Sequence, residues 1–136
     1  MSWVFKKQTC IAVSSMKVEF IALTSACKEA GWLRDLMFVI PLLTKPISPI
    51  TIHCDSHSAL SRAYSQVYNG KSRHIGVRHS YVQELIVKSV ITVDYVKTQL
   101  NLADSFTKAM ARDCVKRMAI GIGLVPIVDH NEGIPT

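Results

Sequence analysis

An α/β layered fold is predicted by two observations. Short runs of β-branched residues alternate with longer stretches of helical periodicity. Their order (strand, helix, strand, helices, strand, helix) also requires at least one parallel crossover. At 136 residues the chain is long enough for one domain with a real core. That domain is expected over residues 1–125, with a loose tail over 126–136.

Val4 to Val13 reads as extended, with β-branched and aromatic residues on either side of a polar "KKQ". Ser14-Ser15 then offers a cap for a long helix from Met16 to about Ile40. Val18, Ile21, Ala22, Ser25, Ala26, Ala30, Leu33, Leu36 and Met37 recur at helical spacing as its expected buried face. Pro41 stops that helix, and "TKPISP" is a stiff connector. Ile50 to Cys54 is a short buried strand, followed by a helix from Ser56 to about Tyr64. "YNGKSR" is a turn by its Asn-Gly. His74 to Lys88 is helical, and Val90 to Val96 is the clearest strand because nearly every residue suits a pleated surface. From Asn101 the pattern is helical until Gly121 and Gly123.

Composition is that of an ordinary globular protein, 49% apolar and 19% charged. No apolar run approaches the ~20 residues of a membrane helix. The first residues lack the layout of a secretory signal, so an intracellular location, cytoplasmic or nuclear, is expected. Cys10, Cys27, Cys54 and Cys114 lie far apart in apolar contexts and read as free thiols in a reducing compartment. The net charge is +6. Its basic side chains gather between Asp55 and Glu84, where Arg62, Lys71, Arg73, Arg78, His57, His74 and His79 occur with no acid among them. Such a belt suits a polyanion, nucleic acid above all, or is simply a solvated face.

Three carboxylates occupy comparable places. Glu19 lies one turn into the long helix, Asp55 ends the strand "ITIHC", and Asp104 lies near the start of the last helix in "NLAD". Ligand groups gather outside the carboxyl ends of strands in α/β sheets. Clustered carboxylates are tolerated mainly around a divalent cation such as Mg²⁺. Each acid also has a purely structural explanation. Glu19 can offset a helix dipole, Asp55 can be an N-cap, and Asp104 can be a surface acid. Cys54, His57, His74 and His79 invite a zinc reading. It is disfavoured because Cys54 sits within a strand and the pairs lie on different elements.

Four blocks occur in order: "SWVFKKQTCIAVSSMKVEFIALTSACKEAGWLRDL", "IHCDSHSAL", "YNGKSRHIGVRHSYVQELI" and "VDYVKTQLNLADSFTKAMARD". Together they resemble the C-terminal, ribonuclease H part of a copia-type retrotransposon Pol polyprotein, from Ser2 to Leu124. The resemblance implies a ribonuclease H-like α/β fold and metal-dependent endonucleolytic hydrolysis of RNA in RNA–DNA hybrids. It implies Mg²⁺ (or Mn²⁺) on Glu19, Asp55 and Asp104, two ions where the site is complete, with Asp55 best placed to bridge both. Lys71, Arg73, His74, Arg78 and His79 would contact the hybrid's phosphates. A reverse transcriptase domain of the parent polyprotein is a possible further partner, and no membrane is implied.

The family carries a fourth carboxylate on its first strand, in a stretch resembling "YSDADWAG". This sequence has no such stretch, so the fold is expected to be truncated at its N-terminus, without the family's first two strands, and the activity impaired. The alternatives are a nucleic-acid-binding remnant without activity and a non-functional fragment of a decayed element. "SSMKVEF" also places Lys17 where the family has an acid, and His57 stands where Asn-Gln or Glu is usual after the Asp.

Overall fold

The computed structural model describes residues 15–68, 70 and 73–125. The expected extended segment Val4–Val13 with Cys10, the tail from Pro126, and Lys71 lie outside the described residues. Those described fall into two compact units, one ending at Asn101 and the other beginning at Leu102.

In the first unit the order is α1 (Ser15–Val39), β1 (Ile50–Cys54), α2 (His57–Tyr64), α3 (Arg73–Val87) and β2 (Ile91–Tyr95), closed by a 3₁₀ turn at Thr98–Leu100. β1 and β2 pair in parallel, with Ile50 opposite Ile91, Ile52 opposite Val93 and Cys54 opposite Tyr95. Parallel strands need a crossover, and α2 and α3 supply it. Among the described residues the sheet has these two strands.

Both strands are one-faced. Ile50, Ile52 and Cys54 are half-buried, whereas Thr51 and His53 point outward. Ile91 and Val93 are buried, and Asp94 is exposed. The strand Ile50–Cys54 is therefore where the pattern puts it, but it is not buried all round. The inner face meets α1, α2 and α3, whose contribution is Phe20, Leu23, Cys27, Ala59, Ala63, Ile75 and Val82. Burying each large apolar side chain of this set stabilises the unit by roughly 1.5–3 kcal/mol relative to exposure.

The buried face of α1 differs from the expected one. Phe20, Ile21, Leu23, Thr24, Cys27 and Ala30 are buried, while Val18, Leu33 and Leu36 are exposed. Apolar residues occur on several sides of this helix, so spacing alone cannot choose a face. Packing of Phe20, Leu23 and Cys27 against the neighbouring helices decides it. Thr24 is tolerated there because its hydroxyl donates to the Phe20 carbonyl at 2.9 Å.

α2 starts at Ser56, whose extended backbone (φ −105°, ψ 108°) and side-chain oxygen accepting from Ala59 N–H make it the N-cap. Asp55 does not cap the helix. α3 ends in a Schellman motif: Val90 N–H bonds to Leu85 C=O, and Ser89 N–H to Ile86 C=O. Ser89 takes the left-handed position with φ 54°.

The second unit contains a 3₁₀ turn at Leu102–Phe106 and α4 (Arg112–Gly121). The continuous helix expected from Asn101 is thus broken. The Ser105 hydroxyl donates to the Leu102 carbonyl, and the Thr107 and Lys108 N–H groups both turn back to the Asp104 carbonyl. The Ser105 hydroxyl bond is of the kind that competes with helix continuation. α4 ends in a second Schellman motif, with Gly123 (φ 90°) in the left-handed position. Among the described residues no helix is long and apolar enough to cross a membrane.

Candidate functional site

The carboxyl ends of β1 and β2 carry two of the expected residues. The parallel ladder ends where Val96 N–H bonds to the Cys54 carbonyl at 3.0 Å. The next residue is Asp55, which is half-buried. Its Oδ2 accepts a hydrogen bond from Asn101 Nδ2 at 3.2 Å. Asn101 follows the 3₁₀ turn at Thr98–Leu100, so the loop after β2 brings it back over the end of β1.

Glu19 is exposed on α1, beyond its first turn, so it is not an acid at the helix start. It lies near enough to Cys54 to act on it electrostatically. Burial pushes the Cys54 thiol above its ordinary value, and the carboxylates of Asp55 and Glu19 push it further the same way. Two of the three expected acids therefore act on one thiol through their charge. The buried Cys27 thiol is pushed up to about 12, mainly by desolvation, and is inert core material.

Asp104 belongs to the second unit and sits in the 3₁₀ turn rather than in a helix. It is buried, and its Oδ2 accepts from Lys108 Nζ at 2.9 Å. Among the described residues of either unit taken by itself, no three His, Cys, Asp or Glu side chains converge as a metal site. The donors at the β1 end are nonetheless of the right kind. Two carboxylates suit Mg²⁺, which binds through one or two such groups and fills its shell with water and substrate oxygens.

The basic residues separate into two kinds. Arg73 and His74 are exposed in the first turn of α3, and Arg78 Nε donates to His74 Nε2 at 3.1 Å. Cations at a helix start oppose the macrodipole, so they do not serve the helix itself. His79 is different, with only 3% of its surface exposed. Its Nε2 donates to the Ser65 carbonyl at 2.7 Å, and its ring packs against Phe20 and Tyr68. The expected phosphate contact from His79 gives way to a core role, because α3 turns this position inward beside Ile75 and Val82. Arg62 lies over the Tyr68 ring at 5.4 Å.

Three contributors escaped the sequence reading. Asn101 stands in the "NLAD" block, which was its only signal. Tyr95 stacks on His57 with ring centroids 3.8 Å apart. Tyr64 both donates to the Val93 carbonyl (3.0 Å) and accepts from the Val93 N–H (3.1 Å). It thereby occupies the edge of β2 that faces away from β1.

Comparison with known proteins places these residues in context. Over 112 residues, or 82% of its length, the chain is 32% identical to the retrovirus-related Pol polyprotein from transposon TNT 1-94 of Nicotiana tabacum. It is 27% identical over 127 residues to the polyprotein from transposon RE1 of Arabidopsis thaliana. A third, from transposon RE2 of the same plant, is 24% identical over 133 residues. Its homologues are plant transposon Pol polyproteins. They support a retrotransposon-derived chain. It spans about 8% of the length of the first two. No family model matches it, and no solved structure matches it significantly.

Proposed function

We propose that this chain is a ribonuclease H-like part of a transposon polyprotein, acting on RNA–DNA hybrids by metal-dependent endonucleolytic hydrolysis of the RNA strand. One observation carries the reading. Asp55 and Asn101, from separate blocks of the sequence, meet in a hydrogen bond at the carboxyl end of β1, and the Glu19 charge acts on the neighbouring Cys54 thiol. That strand end is where ligand groups of α/β sheets collect.

In this reading Glu19 and Asp55 hold the cation, and Asn101 fixes the Asp55 carboxylate through its amide. The chemistry such a cation would supply when bound is polarisation of a phosphodiester oxygen and activation of water. Arg73 and Arg78 bind phosphates without regard to sequence, and hybrid shape and 2′-hydroxyls supply selectivity.

A second reading, hybrid binding without cleavage, is favoured by the Lys108–Asp104 ion pair, which already occupies one oxygen of that acid. Incubation of a labelled RNA–DNA hybrid with Mg²⁺ or Mn²⁺ separates the two. Cleavage that Asp55→Asn abolishes supports hydrolysis. Binding without cleavage by the folded chain supports the second reading, and absence of both refutes the two together.

A further inference from the structure

We propose that His57 and Tyr95 form a stacking platform for an unpaired nucleobase next to Asp55. The inference rests on the nucleic-acid reading above, since the polymer is what brings a base to the rings. The two rings are nearly parallel, 15° apart in plane and 3.8 Å between centroids. Neither belongs to the hydrophobic core, His57 is exposed, and Tyr95 keeps 40% of its surface in solvent. A surface pair stacked on itself still offers an outer π-face, the kind of surface on which bases stack.

The location narrows the occupant. Tyr95 is the register partner of Cys54, and His57 lies two residues beyond Asp55, so the platform stands at the strand end that carries the carboxylates. The Asp55 carboxylate disfavours a phosphate lying directly on the rings, whereas a planar uncharged base meets no such repulsion. Bases within a hybrid duplex are already stacked on one another. The occupant is therefore a base at a single-stranded end flanking the hybrid.

The test compares a blunt hybrid, the same hybrid with a short RNA overhang, and the overhang strand alone, with 2-aminopurine at the first unpaired position. The overhang hybrid should bind roughly tenfold more tightly than the blunt one, with quenching of the 2-aminopurine. His57→Ala and Tyr95→Ala should each abolish that preference, while His57→Phe and Tyr95→Phe retain it. Circular dichroism confirms that each variant is folded. Equal affinity for blunt and overhang hybrids overturns the platform and leaves the hybrid reading intact. A preference that survives in the folded alanine variants does the same. Ring-dependent quenching on the single strand without hybrid binding supports the platform and overturns the hybrid reading. Absence of all binding overturns both.

Discussion

Asn101 Nδ2 reaches Asp55 Oδ2 at 3.2 Å across 46 positions of sequence. The amide donates to one oxygen of the carboxylate and so sets the direction of the other. Asn101→Ala should remove that orientation while leaving the core untouched. We expect loss of about 1 kcal/mol of stability, in the range of a single hydrogen bond to a charged group at partial exposure. Mg²⁺-dependent cleavage should fall by a larger factor than this implies. Denaturant melts and cleavage rates on the same preparations check the two separately.

The Cys54 thiol reports on the acids around it. Its raised pKa leaves less thiolate at any given pH than an ordinary cysteine has, and thiolate is the species that alkylates. Removing one negative charge should lower the pKa and speed alkylation at a fixed pH near 8. Asp55→Asn and Glu19→Gln should both do so, Asp55→Asn more, since its carboxylate has the larger effect. Mass-spectrometric mapping of iodoacetamide labelling over time, with Cys27 as the slow internal reference, reads the result. Unchanged rates in both variants would place the acids away from the thiol.

Tyr64 satisfies both backbone groups of Val93, a residue with 2% of its surface exposed. Tyr64→Phe keeps the ring and removes the hydroxyl. It should destabilise the first unit by about 1–3 kcal/mol, the cost of a buried polar group left without a partner. Faster amide exchange at Val93, with the other β2 amides less affected, would mark the cause.

Ser89 holds a left-handed conformation (φ 54°) that costs an L-residue about 1–2 kcal/mol. Glycine adopts it without strain but gives up about 0.5–1 kcal/mol of chain entropy. Ser89→Gly should therefore stabilise by about 0.5–1 kcal/mol. The Arg34 guanidinium bonds to the Ser89 backbone carbonyl, a contact the substitution retains. The urea midpoint should rise with an unchanged slope.

Arg73 and His79 lie six positions apart on α3 and should fail differently. Arg73→Ala should weaken hybrid binding and reduce its log-log salt slope by about 1, as expected for one lost phosphate contact. His79→Ala should lower stability, through loss of the Ser65 hydrogen bond and of packing against Phe20 and Tyr68. In it, the salt slope of the fraction that remains folded should be unchanged. Titrations at several salt concentrations distinguish the pair.

What could be read from the sequence follows from how local each cause is. β1 was legible because Ile50, Ile52 and Cys54 alternate with Thr51 and His53 just before an acid and a capping serine. α1 was legible as a helix but not by its face, because Val18, Leu33 and Leu36 are as apolar as the residues that pack. Good helix formers such as Ala109, Met110 and Ala111 masked the break before α4, where the Ser105 hydroxyl bonds back to the Leu102 carbonyl. Asp55 stood out at a strand end. Asn101 and Tyr95 did not, since their partners are 46 and 38 positions away and no local pattern announces them.

The Tyr64 hydroxyl gives the small sheet a direction of growth. By bonding both backbone groups of Val93, it fills the place where a third strand would pair with β2. A newcomer on that side must first evict a side chain from a buried backbone. The opposite border is formed by the outward backbone of Thr51 and His53, because the alternate residues of β1 spend theirs on β2. Any enlargement of this sheet is thus steered to the β1 side, next to the strand that ends at Asp55.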